Sequence, residues 1–302
     1  KILVTGSSGF MGHHLTARLK SDGHELICLN SKNCDLTKEN SIKDFTDPDL
    51  DRIYHLAAWT QAGDFCLKHP GEQWIINQKI NTSIINFWFE NQPHTKLITM
   101  GTSCSYDPDI PLIEENYLTG KPIDSLFTYA MTKRIMESGL RAINKQFGLS
   151  YLTVVPSTIY GPGYHADGRQ MHFIFDLIRK ILSAKKTGKK VTLWGNGYQK
   201  REIVFIDDFI NDLILLDEKI ENDILNIGAN EELSIRGFAE EICKIVDYDS
   251  HLIEYDESKY VGAESKFLST EKEKNILGKL TRTSLNDGLK KTIDWFEDNI
   301  NF

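Results

Sequence analysis

Gly6, Gly9 and Gly12 recur at three-residue intervals between a short apolar run, Lys1–Thr5 (KILVT), and a helical pattern, HHLTARLKSDG. Glycines placed there permit a tight turn and a close approach of backbone to ligand. They also leave the helix N-terminus, with its unpaired N–H groups, facing outward toward a pyrophosphate. Correctly set between strand and helix, the pattern points to a dinucleotide site rather than a merely structural turn. Gly6, Ser7, Ser8, Gly9, Phe10, Met11 and Gly12 are its candidate residues.

The next strand, HELICLN, should deliver the group that reads the adenosine ribose. An acid at its end would accept from the 2'-hydroxyl of NAD and repel a 2'-phosphate. Here the strand ends in Asn30, Ser31 and Lys32, with no carboxylate before Asp35. Lys32, with the hydroxyls of Ser31 and Ser7, suits a phosphate dianion, so NADP(H) is favoured and NAD(H) is the alternative. Asp35-Leu36 then forms an adenine clasp. RIYHLAA is a strand whose end, Leu56, Ala57 and Ala58, lets the backbone lie against the cofactor. His55 within it reads as a core or strand-end residue, not a ligand. Trp59–Gly63 is the following loop, and Asn77 on the helix from Glu72 to Asn91 braces the site, ahead of Asn81. KLITMGTS and YLTVVPSTIYGP supply further strands. Strands alternating with helices to about residue 160 predict a doubly wound, mostly parallel α/β sheet. Its ligand crevice lies at the carboxyl ends of the strands. Gly6, Ala57, Thr102 and Pro156 all fall at such ends.

In the helical stretch FTYAMTKRIMESGL, Tyr129 and Lys133 are four residues apart and share a face. A phenol near its ordinary pKa of ~10 is a poor proton shuttle at neutral pH. An ammonium one turn away is expected to lower that value and make the pair a usable acid/base. Thr102, just upstream, offers a hydroxyl to the same substrate oxygen.

Composition narrows the partners. At 302 residues with a formal net charge of -8, the chain can bury a large core but is poorly suited to nucleic acid or an anionic membrane. Its five cysteines are scattered without a Cys-x-x-Cys, which implies a reducing compartment and neither disulfide framework nor zinc site. No apolar run approaches bilayer length and the chain opens on a strand, so neither leader nor anchor is expected and the cytoplasm is the expected location.

Beyond Pro162 the pattern changes to a loop and an amphipathic helix, FIFDLIRKILSAKK. KVTLWGNGYQKREIVFIDD reads as strand, turn, strand, with Gly195-Asn196-Gly197 favouring a hairpin-like reversal. FIDDFINDLILLDEKI returns to the sheet domain. ILNIGANEELSIRGFAEEICKIV is a strand and a helix capped at or beside Ser234. Glu254–Lys274, rich in lysine and glutamate, is expected to be a solvated loop. Without repeats or a low-complexity linker, two interleaved domains follow: residues 1–162, joined by 203–225, and residues 163–202 with 226–302.

These landmarks together resemble the extended short-chain dehydrogenase/reductase family, the nucleotide-sugar epimerases, dehydratases and reductases. TGSSGFMG, YHLAA, GTSCSY, YAMTK, PSTIYGP, REIVFIDD, NIGAN and SLNDGLKKTIDWF match its motifs in order. The resemblance implies a Rossmann domain with a smaller carboxyl-terminal domain that binds a nucleoside diphosphate sugar. Thr102, Tyr129 and Lys133 fall on the family's catalytic Ser/Thr, Tyr and Lys. The 4,6-dehydratases carry Asp-Glu after the Thr, where this chain has Ser103-Cys104, so dehydration is disfavoured. The TSCSY context looks like that of GDP-fucose synthases and GDP-mannose 3,5-epimerases, in which the thiol is an acid/base beside a keto group. In the former it pairs with a histidine, which falls on His172 here, with His165 nearby. Arg201 falls on the pyrophosphate-binding arginine, and Trp194 and Thr158 on substrate positions. The chain departs from the fucose synthases by lacking their Gly-His-Arg-Gly style turn, by Thr158 in place of Asn, and by Phe205 in place of His. The expected function is an NADP(H)-dependent epimerase/reductase of a 4-keto nucleoside diphosphate sugar, with a GDP-sugar favoured. The alternatives are a 4-epimerase or 4-reductase with a structural Cys104, and a non-catalytic dinucleotide-binding regulator, which the intact Thr102, Tyr129 and Lys133 set disfavours. The family also implies a homodimer through the helices spanning 77–90 and 129–147.

Overall fold

The apolar runs of the amino-terminal half are buried on both faces, as parallel strands flanked by helices must be. In the computed structural model, which describes residues 1–259 and 263–300, the first half alternates as expected. Strand β1 (Ile2–Thr5) leads to α1 (Phe10–Ser21), β2 (Leu26–Leu29) and β3 (Arg52–His55). A short α2 (Phe65–Lys68) and a long α3 (Pro70–Asn91) precede β4 (Lys96–Met100), α4 (Phe127–Phe147) and β5 (Tyr151–Pro156). In the second half follow β6 (Thr158–Tyr160), α5 (Phe173–Thr187), β7 (Val191–Trp194), β8 (Lys200–Phe205), α6 (Ile206–Lys219) and β9 (Asp223–Ile227). Then come β10 (Glu232–Ser234), α7 (Ile235–Val246), β11 (Ile253–Asp256), α8 (Glu271–Leu277) and α9 (Leu285–Asn299).

Six strands form one parallel sheet in the order β2-β1-β3-β4-β5-β9. The chain steps outward from β1 to β2, then crosses to the other side of β1 for β3. That reversal opens a crevice at the carboxyl ends of β1 and β3. Side chains alternate between faces: Ile2 and Val4 join the core beneath α1, α5 and α6, while Leu3 and Ile53 join the core beneath α3 and α4. Buried Ile84, Phe87 and Trp88 of α3 meet Met136 and Leu140 of α4 in the second core.

Three expectations need correction. YLTVVPSTIYGP is not one strand but two: β5 stays in the large sheet, while β6 pairs with β8 in a second sheet, β10-β8-β6. Nor do β7 and β8 form a hairpin. β7 pairs in parallel with β11, and β8 pairs with β6 and β10. The intervening turn does use left-handed glycines, Gly195 and Gly197. It is held instead by α7, whose Arg236 donates from N to Gly197 O (2.9 Å) and from Nε to Asn196 O (2.7 Å). Finally, the 254–274 stretch, of which 260–262 lie outside the described residues, is not simply a solvated loop. It contains most of β11 and the start of α8, and between them Leu268 is fully buried and bridges to Leu112. Ser234 does cap α7, accepting from Gly237 N at 3.0 Å.

Candidate active site

The glycine turn is closed around a close contact. Gly6 has φ +68°, and a Cβ there would lie 2.8 Å from Ala57 N, so only glycine fits between β1 and the end of β3. Gly9 caps α1 without any side-chain hydrogen bond, and the first helical turn carries no acid. The first amides of α1 are thus free of side-chain partners and suited to a pyrophosphate. Ser7 departs from the sequence reading. Its backbone N and its buried hydroxyl both donate to Leu29 O at 3.0 Å, which ties the turn to β2 and turns the hydroxyl away from a phosphate. Ser31 and Lys32 remain exposed just beyond β2, where Asn30 Oδ1 accepts from Lys32 N (2.9 Å).

Asp35 Oδ1 accepts from Thr37 N (3.1 Å) and Thr37 Oγ1 (2.7 Å), and these bonds hold its carboxyl below the usual range. Leu36 beside it is buried. Asn77 acts on the loop: its Oδ1 accepts from Trp59 N and its Nδ2 donates to Trp59 O, both at 2.9 Å. It thereby fixes the backbone that follows Leu56, Ala57 and Ala58. His55 is buried, its Nδ1 is 2.8 Å from Thr5 Oγ1, and burial followed by the charge of Lys133 pulls its pKa down to about 3. It is a neutral core residue.

The catalytic candidates meet where β4 ends and α4 begins. Thr102 is buried and its Oγ1 accepts from Cys104 N at 3.3 Å. Tyr129 and Lys133 occupy the first two turns of α4. Arg134, which the sequence reading passes over, fastens the two segments together. Its guanidinium donates to Ser105 O (2.8 Å), Gly120 O (2.9 Å) and Thr119 O (2.7 Å). The expected depression of the Tyr129 phenol is reversed: burial first, then the Cys104 and Cys66 thiols and Tyr117, push it well above the ordinary value. Burial also pulls Lys133 down to about 8. In the free protein the phenol therefore keeps its proton and is placed as an acid.

Cys104 is half-buried. Burial opposes its thiolate. Lys266, a bond with Thr102 and the more distant Arg201 outweigh that and bring the thiol below its ordinary value. Lys266 Nζ lies 3.3 Å from Cys104 Sγ. This lysine falls in the stretch read as solvated, and the apolar Phe267-Leu268 inside a charged run is the only signal that could have marked it. His172 caps α5 at the edge of the same cleft, its N–H donating to the Tyr164 hydroxyl at 3.4 Å. Tyr164 stacks on Phe175 with ring centroids 3.7 Å apart and meets Phe10 of α1 edge-on, which seats His172 beside the glycine turn. His172 is exposed, but the surrounding protein and then His165 and Lys266 hold its imidazole down to about 4. Lys266 acts on Cys104 and His172 alike, so the three share one site. His165 packs on Tyr164 and lies 3.6 Å from Asp167.

On the other lobe, Arg201 projects from β8 toward Cys104, Thr158 lies on the neighbouring β6, and Trp194 ends β7 with 59% of its surface exposed. Glu202, the next residue of β8, points the opposite way. It accepts from Ala229 N (2.7 Å), Asn230 N (2.9 Å) and Leu268 N (3.1 Å), and so anchors the segment that carries Lys266. Pro156, at the end of β5, completes the rim.

Known proteins resemble this chain along nearly its whole length. GDP-L-colitose synthase of Yersinia pseudotuberculosis is 29% identical over 310 residues, covering 98% of this chain and 97% of that protein. GDP-L-fucose synthase of Sinorhizobium fredii is 28% identical over 305 residues, covering 99% and 96%. The crystal structure of a GDP-L-fucose synthetase from Naegleria fowleri superposes with a TM-score of 0.88 at 23% identity, covering 99% of this chain and 93% of that one. The model of the NAD dependent epimerase/dehydratase family matches residues 2–228. This chain belongs to the NAD dependent epimerase/dehydratase family.

Proposed function

We propose that the protein is an NADP(H)-dependent epimerase/reductase of a 4-keto nucleoside diphosphate sugar, with a GDP-sugar as substrate. One observation carries this reading: a thiol with a depressed pKa stands beside the Thr102, Tyr129 and Lys133 set and within reach of the charge of Arg201. A plain 4-reductase needs no such thiol. The relatives, named GDP-L-colitose synthase and GDP-L-fucose synthase, support the GDP-sugar.

The residues present fit the dinucleotide. The open first turn of α1 would take the pyrophosphate, Ser31 and Lys32 the 2'-phosphate, and Asp35 with Leu36 the adenine. When bound, NADPH supplies hydride to C4 of the sugar. Tyr129, protonated in the free protein, donates its proton to the developing alkoxide while Thr102 binds the same oxygen. Lys133 then returns the phenol to its protonated form. Before reduction, C3 and C5 beside the ketone are acidic, and Cys104 and His172 exchange their protons from opposite faces. Arg201 pairs with the diphosphate as a planar donor suited to that anion, with Trp194 and Thr158 beside it. In this reading residues 163–202 and 226–302 form the sugar-nucleotide lobe over a dinucleotide domain of 1–162 joined by 203–225.

Two chains would associate through α3 and α4, whose Ile75, Phe89, Ile135 and Phe147 are exposed on the surface. Five free thiols support a reducing compartment, the cytoplasm. Among the described residues, no helix is long and apolar enough to cross a membrane.

The test supplies the 4-keto sugar nucleotide in deuterated water and follows label at C3 and C5. Native protein should incorporate deuterium before reduction. Cys104→Ser should lose that exchange while still reducing the uninverted sugar, because a hydroxyl is a far weaker acid than a thiol. Reduction without label in the native protein would leave the 4-reductase or 4-epimerase reading.

A further inference from the structure

We propose that Lys266 is a positioning residue that holds Cys104 as its thiolate in the free enzyme, and so makes Cys104 the base that removes the sugar's proton. The function of the thiol in this proposal rests on the epimerase/reductase reading; the ion pair itself does not. Lys266 Nζ is 3.3 Å from Cys104 Sγ, and Lys266 is only half-exposed, so the pair is shielded from bulk water. Thiolates persist beside a fixed cation and are lost when apolar burial acts alone.

The other groups facing the sulfur sort clearly. Arg201 on β8 adds a second, more distant positive charge, and Thr102 at the end of β4 hydrogen-bonds with the sulfur. Cys66 on α2 and Tyr129 on α4 feel Cys104 as a nearby negative charge that pushes each of them up. Among the described residues, the leading influences on it include no carboxylate. The same ammonium, after desolvation and His165, also lowers His172, so in the free enzyme both groups lean to their deprotonated forms: sulfur the anion, imidazole neutral.

The position of Lys266 is held from both sides. Leu268, two residues on, is fully buried and its N–H donates to Glu202 Oε2 at 3.1 Å, while Ser269 N donates to Leu112 O at 3.0 Å. The proton balance is complete without any further reactant. The C–H bond beside the ketone breaks, its proton moves to Sγ, and the electron pair enters the enolate on the carbonyl oxygen. The centre is reprotonated from the opposite face by a solvent proton relayed through the exposed His172, one ring nitrogen giving a proton as the other takes one from water, and the thiol's proton returns to solvent.

The experiment measures iodoacetamide alkylation of Cys104 against pH, peptide by peptide in a mass spectrometer, with exposed Cys28 as the internal reference. Native Cys104 should react with an inflection below the ~8.5 of a free thiol. Lys266→Met should raise that inflection by about one pH unit, a roughly tenfold loss of thiolate at pH 7, and Lys266→Arg should preserve it. Deuterium entry at C3 and C5 should fall about tenfold in Lys266→Met at pH 7 and recover near pH 9. A native inflection at or above that of a free thiol overturns the proposal without recourse to any variant. So does an unmoved inflection in Lys266→Met accompanied by an exchange loss that high pH does not rescue, which would make Lys266 an anchor for the substrate's diphosphate. A shifted inflection together with native exchange in Cys104→Ser would uphold the ion pair and sink the epimerase reading instead.

Discussion

Replacing Glu202 by Gln should loosen one segment of the molecule selectively. The carboxylate is 2% exposed, with one oxygen accepting from Ala229 and Asn230 and the other from Leu268. A carboxamide has only one acceptor oxygen. Left facing the Ala229–Asn230 pair, that oxygen presents its NH2 to the Leu268 N–H, donor against donor. The loss is a charge-assisted hydrogen bond of about 1.5–3 kcal/mol together with a buried unpaired donor. Against this stands the relief of no longer burying a charge, a cost visible in the raised pKa of Glu202. A net local destabilisation of about 2 kcal/mol follows, or roughly thirtyfold in the opening equilibrium. Hydrogen exchange of the peptide spanning 264–270 should accelerate by about that factor, with the strands of the large sheet unchanged. Native protection at the Leu268 amide in Glu202→Gln would refute the claim that this carboxylate anchors the segment.

Tyr129→Phe should slow hydride transfer by on the order of 10²–10⁴-fold while leaving NADPH affinity intact, since only the proton path is removed; near-native reduction would reassign the acid. Lys32→Asp should shrink the preference for NADPH over NADH by about tenfold in parallel titrations, the loss of one exposed charge-assisted contact and the gain of a repulsion; equal affinities in the native protein would end the NADP(H) assignment. His55 should stay neutral far below its ordinary range. Its folded pKa of about 3 lies under the unfolded value near 6.5, so the stability it supports is present above pH 6.5 and is lost as pH falls toward 3. An NMR titration in which the His55 ring protonates near pH 6.5 would contradict this.

What could be read from residues alone was whatever depends on near neighbours in the chain. The Gly6–Gly12 turn, the short apolar strand runs and the four-residue spacing of Tyr129 and Lys133 are local patterns with local causes. Pairing partners were less legible. Gly195-Asn196-Gly197 makes a turn as its composition demands, yet α7 captures the turn through Arg236, and β7 and β8 go to different sheets. The sign of the Tyr129 shift failed for a related reason: a lysine one turn away suggests stabilised phenolate, but both groups are enclosed and the thiols of Cys104 and Cys66 arrive from elsewhere. Lys266 is separated from Cys104 by 162 positions. Apart from the apolar Phe267-Leu268 that follows it, nothing near it in the chain sets it apart from a solvated cation.

The place of β9 has a consequence for the order in which the molecule is made. It is the last strand of the large sheet in chain order and ends at Ile227, so that sheet, the glycine turn and the Tyr129–Lys133 helix are all complete once Ile227 has left the ribosome. Glu202 has by then met none of its three donors, and the cation that reaches Cys104 lies 39 residues further along the chain. A nascent chain at that stage has every part of the nucleotide turn, while its thiol still lacks the ammonium. Translation thus assembles the redox half of the protein first and delivers the charge beside the sulfur afterwards.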